Sequence, residues 1–272
     1  MSALTQIHDW PVGQVAAAAL LPDGTILTEG PTSQVFDLAS VTKPLVSVAC
    51  LIAVEDGSVE LDDPCGPPGS TVRHLLAHAS GLDTDTDTVL AEPGTRRIYS
   101  NSGFEQLRHA LEEATGIPLD IYVSEAVLDP LAMGSTKLAR QAHTGATGTV
   151  DDLARFALEL MNPTPMLLAP STATELVSVA FPGLDGVLPG FGVQRPNDWG
   201  LGVEVRGDKH PHWSPANAST ATFGHFGRSG SLLWIDPTVP VALAVLCDRP
   251  FDSWAPPLWR ELGAAVLEMV DR

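Results

Sequence analysis

Basic residues are scarce in this chain. Its 272 residues carry 15 Lys+Arg against 33 Asp+Glu, a formal net charge of −18. With no basic surface to displace counterions, binding to nucleic acid or to an anionic membrane is excluded as a main function. Cysteine is almost absent. Cys50, Cys65 and Cys247 are an odd number, widely spaced and without metal-like pairing. They read as small hydrophobes in a reducing compartment. No apolar run approaches the roughly 20 residues of a membrane span. The first residues lack the basic start and cleavage site of a secretory signal, and the apolar run Val15–Leu21 stops at Pro22-Asp23-Gly24. The expectation is a soluble, cytoplasmic protein.

Several reaction chemistries lack their motifs as well. There is no Gly-x-Ser-x-Gly elbow, no Gly-Lys pair of a phosphate loop, no His-Glu-x-x-His and no Cys-x-x-Cys. Gly200-Leu201-Gly202 is missing the third glycine of a dinucleotide fingerprint. No metal and no cofactor are expected.

What is present is apolar material, 44% of the chain, enough for one large domain or two closely packed ones. Val15–Leu21 and Thr25–Glu29 read as a hairpin around Asp23-Gly24. Pro44–Val54 is an apolar helix stopped at Asp56-Gly57. Further helices are expected over Thr71–Ala79, from Phe104 to Ala114, from Pro118 toward Val127, and over Ser171–Val179. Another runs from a Thr149/Asp152 capping box to Met161. Strand patterns return at Leu201–Val205, Thr220–Phe223, Ser231–Ile235 and Val239–Leu246. A closing amphipathic helix shows Leu258, Leu262, Val266 and Met269 on one face. This order predicts an α+β fold, an antiparallel sheet built from both chain ends with a helical insertion. Residues 1–60 plus 197–272 form the sheet subdomain and 61–196 the mainly helical one.

Three lysines occur, and Lys43 stands three residues after Ser40 in Ser40-Val41-Thr42-Lys43. Pro44 is tolerated only in the first turn of a helix, so both residues lie at its start and on one face. A serine hydroxyl is a weak nucleophile until a base removes its proton. Burial and the positive end of the helix dipole lower a lysine's pKa and make it such a base. In isolation the pair has a plainer reading, with Ser40 capping the helix and Lys43 solvated. Two more clusters stand beside it. Tyr99-Ser100-Asn101 follows a Pro93-Gly94 turn, and Gly224-His225-Phe226-Gly227-Arg228-Ser229-Gly230 precedes a strand near the C-terminus.

In order and spacing these three clusters resemble the Ser-x-x-Lys, Tyr-x-Asn and Lys-Thr-Gly or His-x-Gly elements of the serine β-lactamase and penicillin-binding-protein family. The class C β-lactamases and the related esterases and D-amino-acid peptidases are most similar. Leu75-Leu76-Ala77-His78-Ala79-Ser80-Gly81-Leu82, Asp129-Pro130-Leu131-Ala132-Met133 and Trp199-Gly200-Leu201-Gly202 extend the resemblance over about residues 35–247. It implies an antiparallel sheet flanked by helices, an all-helical subdomain, and an active site in the groove between them. It implies Ser40 as nucleophile, Lys43 as general base and Tyr99 as proton carrier to the leaving group. Tyr99 would have a pKa depressed by nearby cations. Asn101, His225, Gly227 and Arg228 would bind substrate, with the Ser40 and Arg228 backbone N–H groups as the oxyanion hole.

Two departures matter. His-x-Gly removes the permanent cation of Lys-Thr-Gly, and Leu82–Tyr99 is short for the family. Together with the expected cytoplasmic location they point to a small-molecule ester or amide as partner, β-lactams included. A D-amino-acid peptidase or amidase is the nearest alternative, and a non-catalytic ligand-binding relative is a further one. Elsewhere, His78 reads as structural. Lys209, His210 and His212 read as a solvated loop, as do Asp83, Asp85 and Asp87. Trp199, Trp213 and Trp234 read as core or as an acyl pocket.

Overall fold

The computed structural model describes residues 2–139 and 141–270. The strands are β1 (Val15–Leu20), β2 (Ile26–Glu29), β3 (Phe36–Asp37), β4 (Lys137–Leu138), β5 (Ala146–Gly148), β6 (Gly186–Leu188), β7 (Gly192–Gln194), β8 (Glu204–Val205), β9 (Phe223–Phe226), β10 (Leu232–Asp236) and β11 (Val241–Cys247). The helices are α1 (Thr42–Glu55), α2 (Val72–Leu76), α3 (Asn101–Thr115), α4 (Leu119–Val123), α5 (Val150–Met161), α6 (Pro170–Val177) and α7 (Ala255–Val270). The main sheet has the order β2-β1-β11-β10-β9-β8 with every pairing antiparallel. Both chain ends supply it, as the strand–helix–strand pattern implies.

Both faces of the sheet are covered, so the inner strands are apolar throughout. Along β1, Ala16, Ala18 and Leu20 enter the core shared with α1, α3 and α5, while Val15, Ala17 and Ala19 enter the core shared with α7 and the N-terminal 3-10 segment Ala3–Asp9. That segment has no counterpart in the sequence reading. Helix α5 lies within residues 61–196, yet it packs directly on β11, β1 and β10. Helix α1 touches both α3 and α4.

Several expected elements shift, each for a local reason. The strand expected over Leu201–Val205 shrinks to β8. At Gly202 φ is +86°, and any side chain there would run into Ser47 of α1. The strand expected at Thr220–Phe223 lies instead at Phe223–Phe226, because Ser219 and Thr222 are tied to the Asp236 carboxylate. The helix expected over Thr71–Ala79 ends at Leu76. His78 has φ +54° and turns its Nδ1 to accept from Ser100 N at 3.1 Å. At α5 only half of the capping box forms. Thr149 Oγ1 accepts from Asp152 N at 3.2 Å, but the Asp152 carboxylate accepts from Ser135 N and Thr136 Oγ1, each at 2.9 Å. The buried face of α7 carries Trp259, Leu262, Val266 and Leu267, so it is rotated away from Leu258 and Met269. No described helix is long and apolar enough to cross a membrane.

Candidate active site

Ser40 sits in a 3-10 turn, Ala39–Val41, that runs straight into α1. No side chain caps α1, so Ser40 is not the capping residue. Asp37 Oδ1 accepts from Ala39 N at 2.7 Å, and Thr42 Oγ1 accepts from Ala146 N at 3.0 Å. These bonds fix the turn against β5. Lys43 is fully buried. Its Nζ lies 3.3 Å from Ser40 Oγ, 2.6 Å from Tyr99 Oη, 2.8 Å from Asn101 Oδ1 and 3.1 Å from the His143 carbonyl oxygen. Tyr99 Oη is 2.9 Å from Ser40 Oγ.

The second cluster is placed by the start of α3. Ser100 is its N-cap, accepting from Gly103 N at 2.9 Å and donating to the Asp83 carbonyl at 2.7 Å. Tyr99 therefore precedes the helix and Asn101 opens it. Tyr99 packs beside the buried His78 ring, with centroids 4.5 Å apart, and His78 also meets Trp199 at 4.7 Å. Asp85 Oδ1 accepts from Asn101 Nδ2 at 2.7 Å, which turns Asn101 Oδ1 toward Lys43. The aspartates expected as a solvated loop thus have a positioning part. Asp87 likewise accepts from Ser102 and Gln106 on α3.

The third cluster lies on β9 and the turn after it. Gly227 is pressed against the Ala39–Val41 turn. A Cβ there would meet the Leu38 carbonyl oxygen at 2.7 Å and Ala39 Cβ at 2.9 Å. Its own N–H donates to Ser231 O at 2.8 Å, so its contribution is close approach rather than an amide for substrate. Among the described residues, no hydrogen bond occupies the N–H of Ser40 or of Arg228. The Arg228 side chain is exposed and makes no ion pair with a described carboxylate. His225 is buried, with Nδ1 2.7 Å from the Phe226 carbonyl oxygen. A carbonyl only accepts, so Nδ1 carries the hydrogen. Nε2 is left as a buried acceptor with no partner among the described residues.

The electrostatics follow from burial. Desolvation holds Lys43 well below the ordinary lysine value, against the opposing pull of Asp85 and Glu105. Burial and the nearby Lys43 push His225 down to about 3, so it is neutral and does not replace a lysine's charge. Tyr99 runs against expectation: burial raises its pKa, outweighing its hydrogen bond to Ser40 and the pull of Arg228.

Ser40, Tyr99, Asn101, His225 and Arg228 open together onto a cavity of about 850 Å³. Leu188, Trp199, Phe226 and Phe251 supply an apolar wall, while Trp213 and Trp234 lie in the core. The sequence reading missed His143 and Glu105. It also missed Arg97, which is buried and donates to the carbonyls of Ala77, Ala180, Phe181 and Asn197. None belongs to a local motif. Lys209 and His212 were expected in a solvated loop. Both are buried, each 2.8 Å from Glu204 Oε1, and the Glu204 carboxyl is pulled down to about 2. Burial alone would raise that carboxyl, but the adjacent Lys209 and His212 outweigh it. His210 is exposed.

A family model described as Beta-lactamase matches residues 16–267. The crystal structure of a β-lactamase from Mycobacterium bovis shares 52% identity with this chain, with a TM-score of 0.96 and coverage of 99% of each chain. Penicillin-binding protein 4* of Bacillus subtilis (strain 168) is 26% identical over 39% of this chain and 31% of its own length. Esterase EstB of Burkholderia gladioli is 31% identical over 36% of this chain and 37% of its own. The chain therefore spans about a third of the length of these curated relatives. It belongs to the β-lactamase family of serine hydrolases and has the β-lactamase/transpeptidase-like fold.

Proposed function

We propose that this chain is a serine hydrolase that cleaves an ester or amide through an acyl-enzyme on Ser40. The observation that carries this reading is the closed triangle of Ser40 Oγ, Lys43 Nζ and Tyr99 Oη, with sides of 3.3, 2.6 and 2.9 Å. Neutral Lys43 takes the Ser40 proton, directly or through Tyr99, as Oγ bonds to the substrate carbonyl carbon. The free N–H groups of Ser40 and Arg228 receive the oxyanion. Tyr99 then passes the proton to the leaving oxygen or nitrogen, and water releases the acyl group. Asn101, held by Asp85, orients the amine.

An apolar acyl group suits the wall of Trp199, Phe226 and Phe251. Neutral His225 offers an acceptor where a carboxylate would need a cation, which favours esters and uncharged amides. The names of the relatives keep β-lactams among the candidates. A D-amino-acid peptidase or amidase is a second reading, favoured by one observation: the Arg228 guanidinium at the cavity, with no ion-pair partner among the described residues, can hold a carboxylate. The free thiols of Cys50, Cys65 and Cys247 suit a reducing, cytoplasmic setting.

The test is intact-protein mass spectrometry after exposure to a fluorophosphonate, a short p-nitrophenyl ester and a penicillin, on wild type and Ser40→Ala. One adduct, lost in Ser40→Ala, is the expected result. The reagent that labels and then turns over separates ester from β-lactam chemistry. Equal labelling of the variant sinks the assignment, and no adduct on folded wild type favours a ligand-binding protein.

A further inference from the structure

Glu105 and His143 form a carboxylate–imidazole pair that acylation as described does not use. His143 Nδ1 lies 2.6 Å from Glu105 Oε1. The same oxygen accepts from Ala142 N at 2.9 Å, and Oε2 accepts from Arg108 Nε at 3.0 Å. A carboxylate only accepts, so Nδ1 carries the hydrogen and, in the neutral ring, Nε2 carries the lone pair. Burial pushes the Glu105 carboxyl up, but its hydrogen bonds with His143 and Arg108 prevail and hold it below its ordinary value.

Nothing among the described residues hydrogen-bonds His143 Nε2. The side chain is 19% exposed, and His143 lines the cavity onto which Ser40 opens. The same residue touches the catalytic lysine, because its backbone carbonyl accepts from Lys43 Nζ at 3.1 Å. A base oriented by a carboxylate, open on its other nitrogen and facing the nucleophile's cavity, is the arrangement that activates a water.

We propose that His143, oriented by Glu105, is the general base for the deacylating water. This rests on the acyl-enzyme reading of Ser40. Lys43 and Tyr99 both lie against Oγ, the atom that must be reprotonated when the acyl bond breaks. A second base lining the same cavity, His143 paired to Glu105, leaves Lys43 and Tyr99 free to reprotonate Oγ. Its oxygen bonds to the acyl carbonyl carbon while its proton passes to His143 Nε2. As the carbon–Oγ bond breaks, Tyr99 donates its proton to Oγ. Tyr99 is reprotonated from the His143 imidazolium through solvent in the cavity. The products are the free carboxylic acid and Ser40, and both rings return to their starting state.

The experiment compares wild type, His143→Ala and His143→Gln. Fluorophosphonate labelling and the p-nitrophenolate burst report acylation, and the steady-state rate reports deacylation. In both variants labelling should stay within about twofold of wild type while turnover falls about 10²-fold, the usual scale of a lost general base. The acyl adduct should then accumulate in the intact mass, and added imidazole should restore turnover to His143→Ala. If turnover is unchanged, or if labelling and turnover fall together without imidazole rescue, His143 only shapes the loop and the proposal is overturned. A wild type that forms no adduct with either reagent removes the Ser40 reading itself and this one with it.

Discussion

At Lys43 four oxygens surround one amine nitrogen, and two of them, Asn101 Oδ1 and the His143 carbonyl, can only accept. A neutral amine gives its two hydrogens to these and turns its lone pair toward the hydroxyls of Ser40 and Tyr99. Burial lowers the lysine and raises the tyrosine, so the uncharged pair is favoured on both sides. The pH dependence follows from these directions. In the proposed acylation the free amine is the base, so the rate should climb with pH through a midpoint below the ordinary lysine value. With the Tyr99 pKa raised, no alkaline fall should appear where an ordinary tyrosine ionises. Stopped-flow bursts across pH measure this, and a midpoint at the usual lysine value would contradict it. Tyr99→Phe removes the hydroxyl proposed to carry the proton but leaves the ring against His78. It should slow acylation by about 10²–10⁴-fold with little change in thermal stability.

At the level of elements, the site is a meeting of three short segments, each poised at the end of a regular element. The 3-10 turn feeds α1, the cap of α3 presents Tyr99 and Asn101, and the turn after β9 presents Gly227 and Arg228. Their spacing depends on Gly227 lying against Leu38 and Ala39. Gly227→Ala should push these segments apart, costing about 1–3 kcal/mol as overpacking does. The labelling rate of Ser40 should fall more than global unfolding explains. Denaturant titration alongside fluorophosphonate kinetics separates the two, and a variant with wild-type kinetics would show that this approach is not needed.

Across the whole molecule, buried histidines couple folding to pH. His225 is depressed to about 3, and His78, also buried, lies well below its ordinary 6.5. The unfolded chain takes up these protons near 6.5 while the folded chain does not, so protonation favours unfolding. This contribution to stability is complete above 6.5 and is lost progressively as pH falls toward 3. Glu204, pulled down to about 2 from 4.5, adds its own loss only below 4.5. Melting temperature should therefore drop between about pH 6.5 and 4.5, before acid titration of Glu204 begins. His225→Gln should flatten that drop in calorimetry, and an unchanged slope would exclude His225 as a source.

The sequence by itself determined the elements whose signals are local. The hairpin around Asp23-Gly24, the apolar helix α1, the glycine stop of α3 and the rarity and spacing of Ser40, Lys43, Tyr99 and His225 are all legible within a few residues. Tertiary structure decided what depends on partners far apart in the chain. Glu105 and His143 meet across 38 residues and Arg97 and Asn197 across 100. Lys209 and His212, in a stretch polar enough to read as a surface loop, are buried because the Glu204 carboxylate waits there to pair with both. Periodicity and spacing record which face a residue takes. Burial, which sets the protonation of Lys43, Tyr99 and His225, exists only once the elements have packed.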